Sequence, residues 1–200
     1  MLNSIMSEQR HRTTHRTDGP WVIDTRELGR RPGHSRAVNK AVPVTADLGL
    51  PEVIAVPAGA QVQLDVLLES VVEGVLVTGS ATAPIHGECS RCLDEIDDEL
   101  TVGLTELFAY PDSTTEATTE DDEVGHLVND KIDLEPLVRD AVVLALPQAP
   151  LCEPDCQGLC PQCGGKWADL GPKHEHETID PRWAALKERF SEARDETEEN

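Results

Sequence analysis

Six cysteines and two late histidines stand in four close pairs: Cys89-Ser-Arg-Cys92, Cys152-Glu-Pro-Asp-Cys156, Cys160-Pro-Gln-Cys163 and His174-Glu-His176. Thiolate and imidazole are zinc ligands, and a two-residue gap in a tight turn lets both thiolates of a pair reach one ion at about 2.3 Å. Eight such ligands suffice for two tetrahedral sites. Gly164 and Gly165, directly after the Cys-Pro-Gln-Cys turn, relieve crowding where backbone amides approach sulfur. Two pairings compete. In the first, Cys89 and Cys92 join Cys152 and Cys156, while Cys160 and Cys163 join His174 and His176. In the second, the four cysteines from 152 to 163 make one compact site and the other pairs stay partly empty. The first uses every ligand and leaves no isolated thiol pair, so it is preferred. The histidines, set in Lys173-His-Glu-His-Glu177, also read as an ordinary solvated turn.

Other chemistries fit these residues less well. A Cys-x-x-Cys pair serves thioredoxin-like redox proteins, but that reading needs a βαβ context which this region lacks. His86-Gly-Glu88 has the His-x-Glu form of zinc deaminases, whose second half is Pro-Cys-x-x-Cys. Pro161 lies between its cysteines rather than before them, and residues 81 to 92 read as a strand and turn. Four-cysteine coordination is also closed to a reactive water. His86 and Glu88 are therefore read as edge or turn residues, and the chain as a non-enzyme with structural zinc, one or two ions.

The elements that must hold these ligands are legible in part. Val62, Leu64, Val66 and Leu68 follow the period of two of a half-buried strand. Val71 to Thr82 is β-branched and broken by Gly74 and Gly79, which predicts a second strand with a bulge or tight bend. Leu100, Val102 and Leu104 alternate again up to Phe108. Successive antiparallel strands predict a meander or a partly closed sheet. Asp133 can cap a helix with Pro136 in its first turn and Leu134, Leu137, Val138, Ala141, Val142 and Ala145 as its apolar stripe; Pro147 ends it. The predicted class is α+β: an antiparallel β-sheet domain covered by a helix, then a Cys-rich zinc-ribbon segment and a short C-terminal helix. Its divisions are a disordered tail over 1–19, the sheet and helix domain over 20–150 with a flexible acidic loop at 111–125, the ribbon and C-terminal helix over 151–194, and an acidic tail over 195–200. Asp180-Pro181 starts the last helix, with Trp183, Leu186 and Phe190 on one face.

Composition narrows the partners. The 200 residues allow one ordinary core, and with 38% hydrophobic and 3% aromatic residues that core rests on aliphatic side chains, which structural zinc would supplement. Net charge is −21; residues 1–40 hold eight Lys or Arg against four Asp or Glu, so the remaining 160 residues carry −25. Such a body repels a phosphate backbone. RNA contact, if made, falls to Arg26, Arg30, Arg31 and Arg36, and a basic protein is the favoured partner. DNA, a membrane and a small-molecule substrate are not expected. No early apolar run has the length of a signal peptide and no stretch approaches a membrane span, so the expected location is the cytoplasm, where thiols stay reduced and serve as metal ligands.

Four runs carry a family likeness: Val22-Ile-Asp-Thr-Arg-Glu-Leu-Gly-Arg-Arg-Pro-Gly33, Gly87-Glu-Cys-Ser-Arg-Cys-Leu93, Leu144-Ala-Leu-Pro147 and Gly158-Leu-Cys-Pro-Gln-Cys-Gly164. Together, from about Trp21 to Phe190, the chain resembles the YceD family of large ribosomal RNA subunit accumulation proteins, with an actinobacterial look to the Arg-Pro-Gly run. Many family members end the ribbon in Cys-x-Cys where this chain has His174-Glu-His176, a resemblance that implies ligation by these histidines. It also implies a role in 23S ribosomal RNA accumulation and large-subunit biogenesis, with a ribosomal or ribosome-assembly protein as partner. The alternative is a zinc-ribbon adaptor for another complex such as the transcription machinery.

Overall fold

A computed structural model describes residues 18–111, 113–118, 124–176 and 182. The chain forms two compact units, Met1–Pro154 and Asp155–Asn200. The expected N-terminal tail, except its last two residues, lies outside the described residues, as do the expected acidic tail and, apart from Arg182, the expected C-terminal helix.

The first unit is mostly antiparallel sheet. Its strands are β1 (Val22–Asp24), β2 (Ser35–Pro43), β3 (Leu48–Leu50), β4 (Ile54–Val56), β5 (Gln61–Ser70), β6 (Gly74–Glu88), β7 (Glu95–Ala109), β8 (Gly125–His126) and β9 (Lys131–Asp133), with helices α1 (Thr114–Thr118) and α2 (Glu135–Ala145). β5, β6 and β7 form the expected meander. β2 pairs outside β5, and β4, backed by β3, takes the end of β6 beyond the reach of β5. β8 pairs in parallel with the end of β7, and β1 and β9 form a separate two-stranded ladder. The short helix α1 falls within the stretch expected as a flexible acidic loop, where the Thr115 N–H donates to Glu73 Oε2 at 3.1 Å.

Alternation explains β5: Val62, Leu64, Val66 and Leu68 are all but completely buried while Gln61, Gln63 and Asp65 face out. Each such aliphatic side chain contributes roughly 1.5–3 kcal/mol by leaving water. β6 departs from expectation. It starts at Gly74, after the turn in which the Val71 N–H bonds the Gly74 carbonyl, and its pairing with β5 and β7 runs without a slipped residue. Gly79 is therefore no bulge. It sits at φ +150°, and a Cβ there would come within 2.2 Å of the Asp65 carbonyl oxygen and 2.7 Å of Val66 Cα. The glycine lets β5 and β6 approach. Gly79→Ala is expected to cost about 2–3 kcal/mol, read as a lower denaturation midpoint at unchanged slope; a change under about 0.5 kcal/mol would contradict the close approach.

α2 lies against β7 and β3. The N-cap is Leu134 rather than the expected Asp133, which lies one residue before it and whose Oδ1 accepts the Glu135 N–H at 3.0 Å; Leu134, Val138 and Val142 are fully buried. Ala145, placed in the apolar stripe by its spacing, is exposed. The chain turns extended at Leu146, since the residue before a proline avoids the helical region, and Leu146 packs onto the core beside Gly49 instead.

Candidate metal centre

β6 and β7 pair from end to end, and the turn that joins them holds Cys89 and Cys92. Its closure is specific: the Cys89 N–H donates to the Asp94 carbonyl at 2.7 Å and the Leu93 N–H to the Cys89 carbonyl at 2.9 Å. The second unit repeats the device. The Cys160 N–H donates to the Gly165 carbonyl at 2.7 Å and the Gly164 N–H to the Cys160 carbonyl at 2.8 Å. The fourth residue after the first cysteine has positive φ in both turns, +70° at Gly164 and +61° at Leu93. Glycine takes that conformation freely; an exposed leucine there carries about 1–2 kcal/mol of strain, so the surrounding bonds must hold it. The sequence singles out Gly164 for its conformation but Leu93 only as the end of a family run, and gives no signal for Asp94 beyond the repeated Cys-x-x-Cys.

Within the first unit the structure brings together Cys89, Cys92 and Cys152, and within the second Cys160, Cys163, His174 and His176, while Cys156 belongs to the second unit; in each group the ligand atoms all lie within 4.8 Å of one another. None of the six cysteines, all among the described residues, forms a disulfide. Cys92 Sγ is 3.5 Å from Cys152 Sγ, Cys160 Sγ is 3.3 Å from His176 Nε2, and Cys163 Sγ is 3.5 Å from His174 Nε2. A tetrahedron with spokes of about 2.0–2.3 Å has edges of about 3.3–3.8 Å, so these spacings fit a zinc-sized ion. The donor set fits too, thiolates alone in one group and thiolates with imidazole in the other. Either group could hold a metal ion.

Placement of the ligands comes from local bonds. The Ser90 N–H donates to the Pro150 carbonyl at 2.9 Å, which fixes the segment leading to Cys152 beside the β6–β7 turn. Beyond Cys163, α3 (Trp167–Leu170) ends at Gly171, whose carbonyl accepts the His174 N–H at 3.2 Å. Trp167 meets the His174 ring edge-on at 5.5 Å between centroids, and His176 meets it at 4.3 Å. Trp167 was missed by sequence reading, although an aromatic in a polar stretch is a usable signal. Burial raises the Cys89 thiol, but backbone N–H groups of Cys152, Cys92 and Arg91, with the Cys92 thiol, overturn that and bring it down to about 6. N–H groups of Cys163 and Gln162 likewise lower Cys160 against its burial. Both turns thus favour the thiolate that binds metal.

The other sequence candidates are placed differently. His86 lies within β6, paired on both sides, and its Nδ1 meets the Asp97 carboxylate, so it is neither an edge nor a turn residue. Of the arginines, Arg26 is bound to Asp24, Arg30 pairs with Asp130 at 3.1 Å and lies over the Tyr110 ring, and Arg36 reaches Glu27 at 3.5 Å and the Asp24 carbonyl at 3.1 Å. Arg31 has no ion pair among the described residues. No helix among the described residues is long and apolar enough to cross a membrane.

The chain is 52% identical over 186 residues to the uncharacterized protein Rv2926c of Mycobacterium tuberculosis, covering 92% of this chain and 89% of that one. It is 48% identical over 184 residues to the uncharacterized protein ML1660 of Mycobacterium leprae, covering 92% and 84%. It is also 31% identical over 100 residues to the uncharacterized protein YlbN of Bacillus subtilis, covering 50% and 56%. No solved structure matches. The family model described as large ribosomal RNA subunit accumulation protein YceD matches residues 77–188, a span that starts within β6 and contains all eight candidate ligands, and the chain belongs to that family.

Proposed function

We propose that this protein is a non-catalytic accessory factor in 23S ribosomal RNA accumulation and large-subunit biogenesis, built around two structural zinc ions. Cys89, Cys92, Cys152 and Cys156 hold one ion; Cys160, Cys163, His174 and His176 hold the other. The observation that carries the reading is the family match, whose residues 77–188 include both ligand groups. Four protein ligands fill a tetrahedral zinc and leave no position for a substrate water, which supports structural over catalytic metal. The working partner is a basic ribosomal or assembly protein in the cytoplasm. Residues 41–200 carry −25, and Arg26, Arg30 and Arg36 are committed to local carboxylates, which supports a protein over an RNA partner for the body.

Depletion of the protein is expected to lower mature 23S relative to 16S RNA, and re-expression should restore the ratio. Quantifying both RNAs after depletion checks this. An unchanged ratio with ribosome profiles intact would defeat the reading.

A further inference from the structure

β7 has one side without a partner. It pairs with β6 over its full length, but on its other side, among the described residues, only Phe108 and Ala109 are paired, to β8. From Glu95 to Leu107 the outer backbone N–H and C=O groups face no strand. The Glu99 N–H instead donates to the neighbouring Asp98 carboxylate at 2.8 Å, an exposed local bond that a paired strand would not need. An open edge of this length is a template for strand addition.

The side chains on that edge select what can be added. Glu95, Asp97 and Glu99 point to the same exposed face, spaced by about 7 Å, and Asp98 is exposed on the other. Glu95 stands directly opposite Glu88 on β6, a like-charge pair that costs stability. Among the described residues the only basic side chain that meets these acids is His86, at Asp97. A second acidic edge is repelled, whereas Lys or Arg at alternate positions of an extended chain would face Glu95, Asp97 and Glu99 in turn. The opposite edge, β2, offers no such match, because Arg36 is engaged by Glu27 and Lys40 by the Pro20 carbonyl.

We propose that the free edge of β7 takes up a basic, extended polypeptide segment as an added β-strand, with Lys or Arg side chains at alternate positions facing Glu95, Asp97 and Glu99. The surface deepens the protein-contact reading and rests on it for biological meaning. The two fail separately: peptide capture with an unchanged 23S to 16S ratio keeps the surface and removes the ribosomal role, and the converse keeps the role and removes the surface.

The probe is a synthetic peptide of alternating Lys and Val, about ten residues long, added to the full metal-loaded chain. Amide exchange is expected to slow between Glu95 and Thr105 on binding. The double variant E95K/E99K should weaken the peptide about tenfold or more and flatten its salt dependence, with β5 exchange unchanged. N-methylation of alternate peptide amides keeps the charge and removes the ladder, and it should abolish binding. Equal binding of the methylated peptide would overturn the proposal, as would protection located elsewhere. So would protection of β7 that grows with protein concentration alone, that disappears on deleting residues 1–17, or that an RNA fragment produces. These would identify a second copy, the chain's own tail or RNA as the occupant.

Discussion

Replacing Cys92 by Ser is expected to release one of two zinc ions and to lower the melting temperature of the sheet unit by about 10 °C. The size follows from position. Cys92 sits in the turn joining the two longest strands, is 7% exposed, and lies 3.5 Å from Cys152, a residue 60 positions away in sequence. A metal bound there links the β6–β7 turn to the segment beyond α2, so it stabilises the native chain by an amount that grows with the free metal concentration L as RT ln(1 + L/Kd), drawing on a binding free energy of about 10–16 kcal/mol in zinc-finger peptides. Losing one thiolate forfeits part of that; about 3 kcal/mol corresponds to the stated shift at this chain length. Cys163→Ser should act differently. Its ligand partner His174 is 11 residues away and both belong to the second unit, so the loss stays local. Calorimetry with elemental analysis, and exchange measured in both units, tests the contrast. Equal effects of the two substitutions on the sheet, or full folding without metal and with six titrating thiols, would defeat it.

How much of this was legible in the sequence depends on how strongly burial constrains each residue. β5 was legible because one face is fully buried and the other wet, so its residues alternate cleanly. β2 was not. Only Val42 of its nine residues is buried, and an edge strand with Arg36 and Lys40 has a weak period of two. Gly79 was noticed but given the wrong cause: glycine in a strand signals either a bulge or a close neighbour, and only the register distinguishes them. The eight candidate ligands stood out because their paired spacings are those of structural zinc sites. That Leu93 would adopt the conformation Gly164 adopts in the second turn was hidden, since local sequence argues against it.

Metal should leave the two groups in order, the histidine-bearing one first. In the first group Cys89 and Cys92 are buried and Cys152 is exposed; in the second only Cys160 is buried, with Cys163 and His176 exposed and His174 half-buried, so a chelator reaches the second group more readily. A cobalt-loaded sample separates the steps, because thiolate-to-metal absorption is stronger for four sulfurs than for two. On adding chelator, a fast step should remove the weaker sulfur band and speed no exchange in the sheet. A slow step should then remove the stronger band as the β6 and β7 amides lose protection. His174→Ala and His176→Ala should speed the first step and leave the second alone. Loss of both bands together, or of the all-cysteine band first, would mean that exposure does not set the order of release.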